Sequence, residues 1–151
     1  MILDQSVIVR LAIHEAGHAI VGRQFGWSIC CIHLEPGLDY GRTSFLKPEK
    51  QREQDHIVKV ALAGTVAEEL FNGGAEGKWE DDEETARAAI KRIWPDDPSA
   101  WKKQLPQLKV QVGNLLNEAA VIAVKDAFIT SGRLFVRGDH VERVIDEATK
   151  R

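Results

Sequence analysis

The chain has 151 residues, of which 44% are hydrophobic and 28% charged, and its formal net charge at pH 7 is −3. This length and composition predict one globular domain spanning residues 1–151 and exclude a disordered chain. The slightly acidic balance, without a basic stripe, argues against nucleic-acid binding. The apolar stretches are far shorter than the roughly 20 residues of a membrane span, and the N-terminus does not have the pattern of a secretory signal. We therefore expect a cytoplasmic protein that binds neither nucleic acid nor a membrane.

The first predicted element is a helix from about Gln5 to Phe25, which Gly26 ends. Apolar residues and two histidines alternate along it at spacings of four and three, which places them on one helix face. These residues are Val7, Leu11, His14, His18, Val21 and Phe25. The β-forming residues at 28–35, the turn-like sequence PGLDYG and a second short strand at 42–46 then predict a small β-hairpin.

Two further helices are predicted in the middle of the chain. The segment from about Lys50 to Phe71 is rich in small apolar residues, which would let another helix approach closely. A third helix runs from about Asp81 to Trp94, with acids over its first turn, and the sequence PDDP at 95–98 stops it.

The C-terminal third predicts a long fourth helix over 108–130, which Pro106 either starts or kinks and Ser131-Gly132 ends. A short last helix begins at a capping-box pattern formed by Asp139 and Glu142. The sequence as a whole therefore predicts a mainly helical α+β domain of about five helices with a small β-hairpin.

The segment AIHEAGHAIVG contains the pattern H-E-x-x-H, which on a helix places two imidazoles one turn apart, within reach of one zinc ion. Chance alone produces these three residues in roughly one chain of this length in a few hundred, so the context matters. His14 and His18 lie in the apolar stripe, where buried imidazoles need partners. A pair at this spacing with a glutamate between them favours a metal site over two separately satisfied core histidines.

Glu15 lies about 100° around the helix from His14, beside the metal-facing stripe. This position suits a general base that takes a proton from an attacking water and returns it to the departing amine. A solvated surface glutamate is the alternative. The remaining histidines have no ligand-like spacing and are interpreted as surface or core residues: His33, His56 and His140.

A catalytic zinc normally takes three protein ligands, so a third must come from elsewhere in the chain. Asp82 shares the apolar stripe of the third helix with Ala86, Ala89 and Ile93, whereas Asp81 does not, so Asp82 points inward. An acid that only favours the helix dipole is the alternative for Asp82. Glu69 is the alternative candidate for the third ligand. One of Glu68 and Glu69 is also a candidate for accepting a hydrogen bond from the free ring N–H of a ligand histidine.

Three stretches make the chain resemble the peptidase domain of the FtsH-type ATP-dependent zinc proteases: AIHEAGHAIVG, ALAGTVAEELFNGG and DDEETARAA. They occur in the order of that family, and SGRLFVRGDHVERVI is similar to its C-terminal part. The resemblance implies a mostly helical peptidase fold with a short β-ribbon. It also implies a zinc ion on His14, His18 and Asp82, with Glu15 as the catalytic base.

These residues contain no phosphate-binding loop and no ATPase module, in contrast to the family. We therefore expect ATP-independent hydrolysis of peptides or unfolded protein segments, with the strand edge at 42–46 available to pair with an extended substrate. A homo-oligomer and a separate ATPase partner both remain open. The alternative function is a catalytically silent peptidase-like domain that binds zinc or a partner protein.

Overall fold

The computed structural model of the chain describes residues 4–48, 51–74 and 79–150. The described part is mainly helical with a small antiparallel sheet, which confirms the predicted α+β class. Its elements are α1 (Gln5–Gln24), β1 (Ile29–Glu35), β2 (Tyr40–Phe45), α2 (Gln54–Phe71), α3 (Glu80–Ile93), α4 (Ala100–Leu115), α5 (Glu118–Ser131), β3 (Phe135–Arg137) and α6 (Gly138–Ala148). Lys50, at the predicted start of the second helix, lies outside the described residues.

Helix α1 is the centre of the structure. The side chain of Asp4 caps it by accepting from the Ser6 backbone N–H at 2.9 Å, and Gly26 follows its end with a φ of 81°. Every residue from 10 to 22 is buried. The prediction of a single buried stripe on this helix was therefore wrong, because other elements cover α1 on all sides along its middle three turns.

Two hydrophobic clusters lie on either side of α1. One combines α1 with the sheet, α5 and α6, and the other is built from α2, α3 and α4. Helices α1 and α2 approach each other closely at Gly17, where a Cβ atom would lie 2.4 Å from the carbonyl oxygen of Ala63. The predicted close approach of a helix to the small residues of α2 is confirmed, and it brings the middle of α1 against α2.

The sheet has the strand order β2-β1-β3 and is antiparallel throughout. Ile32 in β1 pairs with Thr43 on one side and with Val136 on the other. The hairpin is confirmed, but β3 was not predicted from the sequence. Within the described residues β2 pairs only with β1, so its outer edge is open.

The predicted helix over 108–130 is wrong, because the structure has two helices there and six in the described residues as a whole. Leu116 is extended, and the side chain of Asn117 caps α5 by accepting from the Ala120 backbone N–H at 2.9 Å. Pro106 does not start a helix but lies within α4, on its exposed side.

The predicted capping box at the last helix is also wrong. Helix α6 begins at Gly138, before Asp139, and its N-cap residue Arg137 makes no side-chain capping bond. Glu142 instead accepts from Arg23 at 2.9 Å and from the Ile29 backbone N–H at 3.2 Å. Its carboxylate is thus used to join α6 to α1 and β1.

Candidate metal centre

His14 and His18 project from the middle of α1, where their side chains are almost completely removed from solvent. The exposed fraction is 0% for His14 and 7% for His18. Their rings meet edge to face, with centroids 4.8 Å apart and the two Nε2 atoms 3.0 Å apart. The one-turn spacing in the sequence therefore directs the two imidazoles to the same point.

Asp82, in the first turn of α3, reaches the same point from a different helix. Its Oδ2 atom lies 2.9 Å from Nε2 of His14 and 3.0 Å from Nε2 of His18. Asp81, its neighbour, is exposed. The structure thus places the inward-facing acid where helical periodicity predicted it, and the three atoms form a nearly equilateral triangle.

The other ring nitrogen of each histidine determines what Nε2 can do. Nδ1 of His18 lies 2.6 Å from the carbonyl oxygen of Val60, which can only accept, so Nδ1 donates. Nδ1 of His14 lies 2.6 Å from the Glu68 carboxylate and donates to it in the same way. In the neutral rings both Nε2 atoms are therefore lone-pair acceptors that face each other and the Asp82 oxygen.

Three acceptor atoms this close need a proton or a cation between them. Burial alone would lower the pKa of His18, but the charge and hydrogen bond of Asp82 outweigh it and raise the pKa to about 9. Burial alone would likewise raise the pKa of Asp82, yet the two imidazoles lower it well below its usual range. In the absence of a metal, the charge of Asp82 therefore favours the protonated form of His18.

The same donor set fits a divalent metal ion. His14, His18 and Asp82 each offer one ligand atom, and two nitrogens with one carboxylate oxygen are ligands that zinc accepts in catalytic sites. Two ligands of a tetrahedral zinc are roughly 3.4 Å apart, given bonds of about 2.0–2.1 Å. The spacing of 2.9–3.0 Å is a few tenths of an ångström shorter, a difference that small side-chain movements remove.

Glu15 lies beside the triangle without joining it. Its exposed fraction is only 2%, and its Oε2 atom is 4.0 Å from Nε2 of His14. The Thr43 hydroxyl, on β2, donates to its Oε1 atom at 2.8 Å. Burial raises the pKa of this carboxyl above its ordinary value. The alternative of a solvated surface glutamate is therefore wrong.

An open groove of about 850 Å³ gives access to this cluster. Glu15, His18 and Asp82 line it together with the open strand β2. Gly41 of β2 packs against Glu15, since a Cβ atom there would lie 3.0 Å from the Glu15 carboxylate. Glu15, the candidate ligand cluster and strand β2 thus face one space.

The two glutamates of α2 have different surroundings. Glu68 is fully buried, and Arg10 of α1 approaches its second oxygen at 3.6 Å. Glu69 is exposed and forms an ion pair with Lys109 at 2.7 Å, outside the cluster. The supporting role predicted for one of the pair therefore fits Glu68, and the structure does not bring Glu69 to the candidate ligands.

Several contacts of the site were not predicted from the sequence. Trp79 stacks on His14 with ring centroids 3.5 Å apart. Arg10 pairs with Asp39 in the turn before β2 as well as with Glu68. Gly64 makes room for the imidazole, because its Cβ would lie 2.3 Å from Nε2 of His14. Of these contacts, only those of Arg10 had a signal in the sequence, because it is a charged residue between the apolar Val9 and Leu11.

The other histidines lie outside this cluster, as predicted. His56 stacks on Phe25, His33 is half exposed, and His140 contacts Arg143.

No protein-family model matches the chain, and the search of curated proteins gave no match either. A membrane-crossing helix, which would have to be longer and more apolar, does not occur among the described residues.

Proposed function

We propose that this chain is a zinc-dependent, ATP-independent peptidase of the FtsH type, which cleaves peptides or unfolded protein segments. The observation that carries the proposal is the convergence of three acceptor atoms, from His14, His18 and Asp82, beside the buried carboxylate of Glu15. The resemblance of the sequence to FtsH-type peptidases agrees with these roles.

A zinc ion held by the three ligands would supply Lewis-acid chemistry by polarising the scissile carbonyl and acidifying the attacking water. Glu15 takes the proton of that water and later returns it to the departing amine. Its raised pKa suits this role, because a general base works best when its pKa is near the working pH. The Thr43 hydroxyl holds the carboxylate in place.

The chain also offers a way to hold an extended substrate. No strand in the described part of the chain pairs with the outer edge of β2, and residues of β2 line the same groove as Glu15 and Asp82. A peptide that pairs with this edge gains backbone hydrogen bonds whatever its sequence. Peptides and unfolded segments are thus the substrate class that best suits the groove.

The test compares wild type with Glu15→Gln on casein and unstructured peptides, with zinc and without nucleotide. Glu15→Gln keeps the size of the side chain but removes the base, so we expect it to retain zinc and lose about 100- to 10,000-fold in rate. Glu84→Gln, an exposed change on α3, is the matched control and should keep full activity. Elemental analysis should find about one zinc per chain.

If wild type and Glu15→Gln are equally inert while both hold zinc and bind the same partner, the peptidase proposal fails. The alternative function, a catalytically silent domain that binds zinc or a partner protein, is then the better hypothesis. Absence of stoichiometric metal from both proteins would contradict the metal centre itself.

A further inference from the structure

The groove of the candidate metal centre also contains a cation, near the end of strand β2. The guanidinium carbon of Arg52 lies 4.1 Å from the centroid of the Trp27 ring and 5.7 Å from that of Phe45, and all three residues line the groove. Contact with an aromatic face holds a guanidinium in place by cation–π attraction. The N–H groups lie in the guanidinium plane, so this contact does not use them.

The hydrogen bonds of Arg52 are incomplete. Its Nη2 atom donates to the carbonyl oxygen of Leu46 at 2.8 Å, whereas its buried Nε atom has no hydrogen-bond partner among the described residues. A buried N–H without a partner is unfavourable, and more so on a charged group. Within residues 4–48, 51–74 and 79–150 no carboxylate forms an ion pair with Arg52, and this includes the acids that line the groove: Glu15, Asp39, Glu80, Asp81 and Asp82.

A second arginine on a tryptophan shows what is missing at Arg52. Arg87, on α3 and outside the groove, lies over the Trp101 ring at 4.4 Å. It also pairs with the carboxylate of Glu83 at 3.0 Å. Arg87 thus has an aromatic face and a carboxylate from the chain itself, whereas Arg52 has only the aromatic face within the described residues.

The register of β2 places Arg52 at a defined distance from Glu15. Thr43 donates to Glu15, and Phe45 lies two residues further on the same face of the strand, against Gly22 of α1. Two residues of a strand span roughly 6.4–6.8 Å. A substrate strand that pairs with β2 and has its scissile bond beside Glu15 therefore brings a residue two or three positions away next to Arg52.

We propose that Arg52 binds a carboxylate of the substrate, two or three residues from the scissile bond. This inference rests on the proposed peptidase function. An acidic side chain and a free C-terminus both carry the group, and arginine binds either through charge-assisted N–H···O bonds. The rings of Trp27 and Phe45 keep water from part of the guanidinium, which strengthens its attraction to an anion.

The test uses C-terminally amidated decapeptides that carry glutamate or glutamine at one position, with zinc and without nucleotide. Wild type should favour glutamate two or three residues from the cleaved bond by at least about tenfold in kcat/KM, the effect of one charge-assisted hydrogen bond. Glutamine peptides with a free or an amidated C-terminus, cleaved two or three residues from that end, test the other source. A preference for either carboxylate supports the proposal and identifies which one is bound.

Variants assign the preference to Arg52. Arg52→Gln should bring the ratio of the two rates to about one, whereas Arg87→Gln, which changes the arginine outside the groove, should keep the wild-type ratio. Arg52→Glu should favour lysine over glutamine at the same position, and it serves as the second variant if Arg52→Gln does not fold. An arginine with only a structural role would change both rates equally and leave every ratio as in wild type.

The possible outcomes separate this inference from the peptidase proposal. If peptides are cleaved without a carboxylate preference, or with one that Arg52→Gln retains, the inference is overturned and the function stands. If wild type cleaves no peptide, fluorescence anisotropy with the same peptides, dye-labelled, decides. Binding of a carboxylate peptide that is at least about tenfold tighter, and that Arg52→Gln abolishes, then supports the anion site although the peptidase proposal fails. Equal binding of the paired peptides, or no binding, overturns the inference.

Discussion

The two sides of the candidate metal centre are built in different ways. The histidines project from α1, which is buried on all sides, and each Nδ1 atom has a partner at 2.6 Å. Asp82 comes from the first turn of α3, where only Ala86, Ala89 and Ile90 are buried, and its side chain is 29% exposed. Its side-chain hydrogen bonds within the described residues go to the two histidines.

This difference indicates that the core fixes the histidines, whereas the cluster itself fixes the aspartate. The close packing of α1 and α2 thus preorganises two candidate ligands. The third candidate ligand lies on a less buried helix, which a bound metal ion would hold more firmly. Changes on the histidine side should therefore disturb both fold and metal binding, and changes on the aspartate side should act mainly on metal binding.

The largest expected effect comes from Gly64→Ala on the histidine side. Its Cβ would lie 2.3 Å from Nε2 of His14, so the ring must move. We expect zinc binding to be lost and the free energy of unfolding to fall by about 1–3 kcal/mol, as overpacking typically costs. Denaturant titration and elemental analysis measure the two effects.

Gly113→Ala is the control for that substitution. Gly113 lies within α4, and a Cβ atom there would be at an ordinary contact distance of 3.6 Å from the side chain of Leu70. Alanine in a helix is favoured over glycine by roughly 0.5–1 kcal/mol, so this variant should be neutral or slightly stabilised. Equal behaviour of the two variants would contradict the close packing of the imidazole.

On the aspartate side, Asp82→Ala removes a candidate ligand. It should weaken zinc affinity by more than about 100-fold, which is the largest loss typical of groups that only hydrogen-bond a metal ligand. The neighbouring change Asp81→Ala removes an exposed acid and should have little effect. Competition with a chromophoric chelator measures both affinities. The aspartate would lose its role as a ligand if the two variants retained zinc equally.

A smaller effect is expected from the group that orients His14. Glu68→Gln weakens the bond to Nδ1 and should lower zinc affinity by about 10- to 100-fold. Glu69→Gln, on the adjacent exposed residue, should bind zinc like wild type. The same chelator competition measures both, and the reverse order of effects would move the supporting role to Glu69.

The features of this centre that could be predicted are those encoded by residues close together in the sequence. The candidate ligands His14 and His18 follow from a spacing within one helix, and Asp82 was chosen over Asp81 because α3 has one buried face. The same reasoning failed for the burial of α1, because residues 10–22 are buried on every face of the helix and not only along the predicted stripe.

The residues that were missed act through contacts distant in sequence. Thr43 meets Glu15 across 28 positions, and Arg10 meets Asp39 across 29. Strand β3 has only three residues and forms by pairing with β1, so it carries little signal of its own. The break between α4 and α5 did have a signal, since Asn117 is a good N-cap residue.

The smallest expected effect concerns Glu15, which is buried on the histidine side without being a ligand. Burial raises the pKa of Glu15 above its ordinary value, so the folded chain keeps this proton to a higher pH than the unfolded chain. The free energy of unfolding therefore falls as pH rises from the pKa of Glu15 in the unfolded chain to its pKa in the folded chain. Above the folded pKa the loss of stability has reached its full value.

In the metal-free protein, Glu15→Gln should remove this cost and raise stability at pH 7–8 by about 1 kcal/mol, which corresponds to roughly 2–4 °C in Tm. At pH 4 the gain should shrink, because the wild-type carboxyl is then protonated. Thermal unfolding at both pH values measures this, with Glu84→Gln as the unchanged control. A lower Tm for Glu15→Gln at pH 7–8 would show that the carboxylate stabilises the fold.

The backbone contact between α1 and α2 also limits how the chain can diverge in evolution. The motif H-E-x-x-H leaves two positions open, but Gly17 cannot gain a Cβ without meeting Ala63, and Gly64 cannot gain one without meeting His14. Homologues that keep this helix crossing should therefore retain glycine at both sites while their surfaces drift. A signature that joins the two glycines to the histidines would recognise distant homologues more selectively than the five-residue motif.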